Sequence, residues 1–154
     1  MGLSIEFYAG DATRIGAAFT AVAFDEIRDG RKSIAYADLS LHLGMEDIDL
    51  LSAAVADRAR QPLISLLDGL RANVGRIDEE GSADVVDPAW VAMTSTLEMA
   101  DAPAVAADWI RRVGESRGET IEITDDAAIA VGQLVSLCKK AVLANADVVI
   151  VWYL

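Results

Sequence analysis

Apolar and polar residues change rhythm several times along this chain, and each rhythm predicts an element. In residues 3–9, Leu3, Ile5 and Phe7 alternate with Ser4, Glu6 and Tyr8, the period of a half-buried strand. Gly10 breaks it, and Asp11 is placed to cap a helix. From Ala12 to about Arg28, Ile15, Ala18, Phe19, Val22 and Ile27 recur at helical spacing. Residues 34–43 alternate again, with Leu39, Leu41 and Leu43 against Ser40 and His42, and predict a second strand. After Gly44, the acids Glu46, Asp47 and Asp49 open a helix striped by Ile48, Leu51, Val55 and Ala59.

Pro62 starts a further predicted helix, with Leu63, Leu66, Leu67, Leu70 and Val74 facing inward. Residues 76–87 predict a loop. Asp87–Pro88 predicts a capped helix carrying Trp90, Met93 and Leu97, and Asp101 to Pro103 opens the next, carrying Val105, Trp109 and Val113. Residues 119–123 alternate as a short strand. Thr124, Asp125 and Asp126 begin a long helix ending near Ala144. The closing run Val148 to Leu154 is apolar on both faces, which predicts a strand central in a sheet.

The predicted order is β-α-β, four central helices, then β-α-β. That is an α+β fold, or a small α/β one, with one mixed sheet of about four strands and helices packed on it. The 154 residues suit a single domain spanning 1–154, in which 46–117 is a candidate helical subdomain.

Charge changes the picture. The net charge is −12, which disfavours nucleic acid and anionic membrane as partners. Between Arg76 and Arg111 there is no Lys or Arg, and eight acids: Asp78, Glu79, Glu80, Asp84, Asp87, Glu98, Asp101 and Asp108. Trp90, Met93, Met99 and Trp109 lie among them. The helical spacing of the two tryptophans reads first as core; exposed, they would anchor a docking surface.

Candidate chemistry is sparse. The single cysteine, Cys138, precludes an internal disulfide or a cysteine-rich zinc site, and its place in an apolar stripe reads as inert core. The single histidine, His42, reads as a solvated strand residue rather than a general base. The segment from Tyr8 to Gly16 has neither the dinucleotide nor the P-loop glycine spacing. The acids of 78–87 do not follow the calcium-loop pattern. Arg58, Arg60, Arg71 and Arg76 fall on two consecutive predicted helices and are candidates for a small anion pocket. No catalytic residue, metal ligand or cofactor is assigned.

The N-terminus lacks a basic leader, and Glu6 stands where the myristoylation pattern of a Met-Gly start needs Ser or Thr. The longest apolar run is too short to span a bilayer. The expected location is the cytoplasm.

The expectation is a non-catalytic interaction protein, inhibitor-like in kind, that binds a basic protein partner through Asp78, Glu79, Glu80, Asp84, Asp87 and Trp90. The alternative is a small-molecule-binding protein or enzyme with a carboxylate, tyrosine and arginine site beside the sheet, drawing on Tyr8, Asp11, Arg14 and Tyr36. A homodimer paired through the C-terminal strand is a third expectation.

Overall fold

The computed structural model describes residues 3–154. Met1 and Gly2, on which the myristoylation question turned, lie outside the described residues. The elements are β1 (Ser4–Gly10), α1 (Ala12–Thr20), α2 (Phe24–Arg28), β2 (Ser33–Asp38), α3 (Met45–Ala59), β3 (Asn73–Ile77), β4 (Gly81–Val85), α4 (Pro88–Ser95), α5 (Ala102–Arg117), α6 (Asp125–Ala144) and β5 (Asp147–Tyr153). A short 3-10 turn, Met99–Asp101, precedes α5.

The class is α+β. The five strands form one sheet in the order β2-β1-β5-β4-β3, and all four ladders are antiparallel. The sheet is therefore not the mixed one of about four strands expected from the sequence: it has five strands and no parallel pair among the described residues. β5 is central, as its two-faced apolar sequence requires: Val148, Val149, Ile150 and Val151 are all buried. Because it is paired on both edges within the chain, it offers no edge to a second copy.

Several boundaries differ from the sequence-based expectation. The helix expected at 12–28 is two helices, because the chain turns at Val22, whose φ is 58°. β2 stops at Asp38, and Leu39 to Leu43 leave the sheet; His42 has φ 59°. The helix expected from Pro62 does not form. Its leucines follow an irregular path, with Leu66 buried and Leu63 exposed, and Val74 belongs to β3. The expected loop at 76–87 is largely a β-hairpin, whose turn is closed by the Glu80 amide on the Ile77 carbonyl at 2.8 Å. The stretch 46–117 therefore contributes two strands to the sheet and is not purely helical. Residues 119–123 form no strand.

Each face of the sheet is covered. One face carries Ile5, Phe7, Ala9, Ala37, Val148 and Ile150 against α3, α4, α5 and α6. On it, α6 is the long core helix, with nine buried residues from Ala127 to Ala141. By length and composition alone α6 is apolar enough to cross a membrane; here its apolar stripe is packed on the sheet. The other face carries Tyr8, Ala83, Val149 and Val151 against α1 and α2. There α1 lies directly on β3: a Cβ built at Gly16 would sit 2.1 Å from the Val74 carbonyl oxygen, so the backbone contact demands glycine.

Candidate functional site

The second face of the sheet holds a buried polar cluster. Strand alternation aims Glu6 and Tyr8 of β1 away from the large core. The face they meet is not solvent: α1 and α2 cover it, and Glu6 is only 3% exposed. A carboxylate so placed needs partners, and it has three. The Tyr8 hydroxyl donates to Glu6 Oε2. The Tyr153 hydroxyl donates to Glu6 Oε1 at 2.9 Å. Arg28 Nη2 reaches the same oxygen at 2.6 Å and also donates to the Tyr153 hydroxyl.

Aromatic rings surround these groups. Tyr36 of β2 lies opposite Tyr8 in the β1–β2 ladder, with ring centroids 5.2 Å apart. Phe24 of α2 stacks on Tyr153 at 4.6 Å, and the Arg28 guanidinium lies 5.6 Å from the centre of the Phe24 ring, within cation–π range. The chain has three tyrosines, and all three are here. Burial and the Glu6 charge push the phenols of Tyr8, Tyr36 and Tyr153 above the ordinary tyrosine range. Contact with Glu6 holds Arg28 firmly protonated against the opposing effect of its burial. No buried side-chain polar atom among the described residues lacks a partner.

Of the residues expected to hold a small ligand, Tyr8 and Tyr36 are brought together. Asp11 and Arg14 are not part of the cluster. Both are exposed, and Asp11 caps α1 by accepting the Arg14 amide at 3.0 Å. Glu6, Arg28, Phe24 and Tyr153 escaped the sequence reading. The signal for Glu6 was its position on the same strand face as Tyr8. Arg28 and Tyr153 lie 22 and 147 residues from Glu6, and no local pattern joins them.

The acids of the Arg76–Arg111 interval do not share one surface. Asp84 lies in β4 and accepts from Ser82 and Asn73. Asp87 caps α4 by accepting the Ala89 amide and pairs with Arg71 at 3.1 Å. Asp101 pairs with Arg58, and Asp108 with Arg111 and Arg112. Asp78, Glu79 and Glu80 project from the β3–β4 turn, exposed and, among the described residues, without an ion pair. Asp78 has φ 44°, and the Leu154 amide holds the Glu80 carbonyl at 2.9 Å.

Trp90 is not a surface anchor. It is 0% exposed, stacks on Phe7 with centroids 6.1 Å apart, and donates its indole N–H to Ser52 Oγ at 3.0 Å. Trp109 is equally buried and donates to the Asp47 carbonyl.

The four arginines considered for an anion pocket are dispersed: Arg58 and Arg71 hold acids, Arg60 ends α3 in a left-handed conformation, and Arg76 is exposed on β3. His42 is exposed. Cys138 is fully buried, and burial pushes its thiol far above the range in which it would ionise. Among the described residues, no three His, Cys, Asp or Glu side chains are grouped to hold a metal ion. A shallow groove of about 580 Å³ runs beside β2, lined by Ala35, Met99, Pro103, Ile129, Gln133 and Lys140 among others.

No family model matches the chain, and no curated protein does. Among solved structures, the chain is similar to YfbM from Escherichia coli, a protein of unknown function. The identity is 14%, the TM-score 0.45, and the match covers 98% of this chain and 99% of that one. A likeness at that score carries no argument about function.

Proposed function

We propose that this protein is a non-catalytic cytosolic interaction protein that binds a basic protein partner, and that the contact is made by the β3–β4 turn. The observation that supports this reading is the contrast among the interval's acids. Asp84, Asp87, Asp101 and Asp108 are engaged within the fold. Asp78, Glu79 and Glu80 stand together on a closed turn with their charges uncompensated. A tight, hydrogen-bonded turn holds three charges in place before a partner arrives, so little ordering is left to oppose binding. Complementary charge speeds encounter with a basic surface.

The test uses the wild-type chain and a variant carrying Asp78→Lys, Glu79→Lys and Glu80→Lys as baits in lysate of the native host. A basic protein is expected on the wild type at low salt. It should be lost near 1 M salt, where charges are screened beyond about 3 Å, and it should be missing from the variant at every salt concentration. Equal capture by the two baits would overturn the reading.

A further inference from the structure

The arrangement around Glu6 has the chemistry of a receptor for a planar cation. We propose that Glu6, Tyr8, Tyr36, Tyr153 and Phe24 form a guanidinium-binding cage that Arg28 occupies in cis, and that an arginine from a basic partner can take the same place. The second half rests on the docking role proposed for the β3–β4 turn; the first half does not.

A guanidinium is recognised by a carboxylate in its plane, by hydroxyls that accept its remaining N–H groups, and by aromatic rings. All three are present. Glu6 Oε1 takes Arg28 Nη2 at 2.6 Å, the Tyr153 hydroxyl accepts a further N–H from it, and Phe24 lies 5.6 Å from the guanidinium carbon.

The occupant differs from its cage in how it is held. Glu6, Tyr8 and the backbone of Tyr153 belong to β1 and β5, strands paired along both of their edges in the sheet. Arg28 ends a five-residue helix whose only buried residue is Ile27. Its side chain is 36% exposed, against 4% for Glu6. Arg28 can therefore swing into water without disturbing the sheet, and its departure removes the cationic partner of the carboxylate. Solvation favours the freed guanidinium, but leaves Glu6 buried and unpaired, a costly state unless another cation enters. Exchange of one guanidinium for another avoids that state.

The cage adjoins the proposed docking turn. Gly81 pairs with Tyr153 across the β4–β5 ladder, and the next residue, Leu154, donates its amide to Glu80. A basic segment drawn to Asp78, Glu79 and Glu80 thus arrives beside the cage rim.

Chemical rescue tests the cage on the whole chain. Arg28→Ala is expected to lower Tm, and millimolar ethylguanidinium, which replaces the deleted end of the side chain, should raise it saturably by about 2–4 °C. Equal ionic strength of sodium chloride should not do so. An Arg28→Ala, Glu6→Gln double variant should gain no more than the salt control, and the wild type, in which Arg28 competes for the cage, should gain less than Arg28→Ala at the same concentration. A response of Arg28→Ala no larger than with sodium chloride would overturn the cage.

Exchange is read on the wild type, which also decides the matter if Arg28→Ala does not fold. In protein labelled with nitrogen-15 arginine, the resonance of the hydrogen-bonded Arg28 Nη2 group should lose intensity as ethylguanidinium is added. A resonance unchanged at tens of millimolar would overturn exchange. The Asp78, Glu79, Glu80 lysine variant should respond as the wild type does, so loss of partner capture and failure of the cage are separate results.

Discussion

One face of the sheet meets four helices and is filled by aliphatic and indole side chains; the other meets two short helices and buries a carboxylate. The first face is held by area. Its few polar interior groups, among them the indole nitrogens of Trp90 and Trp109 and the hydroxyls of Ser52 and Thr94, are hydrogen-bonded to one another or to backbone. The second face is held partly by geometry: Glu6 stays inside because two phenols and a guanidinium converge on it. Losses on the first face therefore scale with volume removed, whereas losses on the second follow from which partner is left unpaired.

The largest expected effect breaks the first face. Trp90→Ala should cost about 3–5 kcal/mol in urea unfolding, because it removes a fully buried ring and one of the hydrogen bonds that Ser52 Oγ accepts, the Leu66 amide keeping the other. A loss below about 1 kcal/mol would show that this core is not close-packed. Next, Glu6→Gln keeps the volume and removes the charge on the second face. Its expected cost is about 1.5–3 kcal/mol, moderated because the Arg28 left behind reaches solvent. An unchanged midpoint would show that the carboxylate contributes nothing net.

The smallest effect separates the faces by pH. Folding raises all three tyrosine pKa values. The unfolded chain ionises first, near pH 10, so unfolding releases protons above that pH. The stabilising contribution of the protonated phenols is complete below the unfolded value and declines as pH rises past it. Ultraviolet titration should show little phenolate in the native protein at pH 10.5, with the full signal only on unfolding. Early, reversible ionisation of all three would contradict the enclosed second face.

The element types that were legible in the sequence were those with a period and a cap. β1, α3, α4, α5, α6 and β5 follow from alternation, helical stripes and Asp or Pro at their starts. The central place of β5 was legible because four consecutive β-branched residues need cover on both sides. The region 62–85 was misleading. Its leucines mimic a helical stripe, while β3 and β4 carry Asn73, Gly75, Gly81, Ser82 and Asp84, residues of low strand propensity. Those strands exist because β5 offers an edge to β4, and because Gly16 and Gly75 let α1 approach β3. That information is tertiary and has no local trace. The candidate site was half legible for the same reason. Tyr8 and Tyr36 were named as ligand suspects, but the charge that gathers them, Glu6, read as the wet side of a strand until a second layer of helices covered it.

The strand order also constrains how the chain comes together. β1 with β2, and β3 with β4, are consecutive strands that also pair in space; β3 and β4 close over a short turn, whereas β1 and β2 are joined through α1 and α2. β5, the latest of the five strands, lies between them and joins the two pairs. Until it inserts, β1 and β4 each present an open edge, and the carboxylate of Glu6 lacks Tyr153. Completing the sheet therefore needs a non-local pairing of the chain's last strand with its first, a topology that favours slow folding. A seven-residue segment thus acts as the keystone that makes two halves into one cooperative unit.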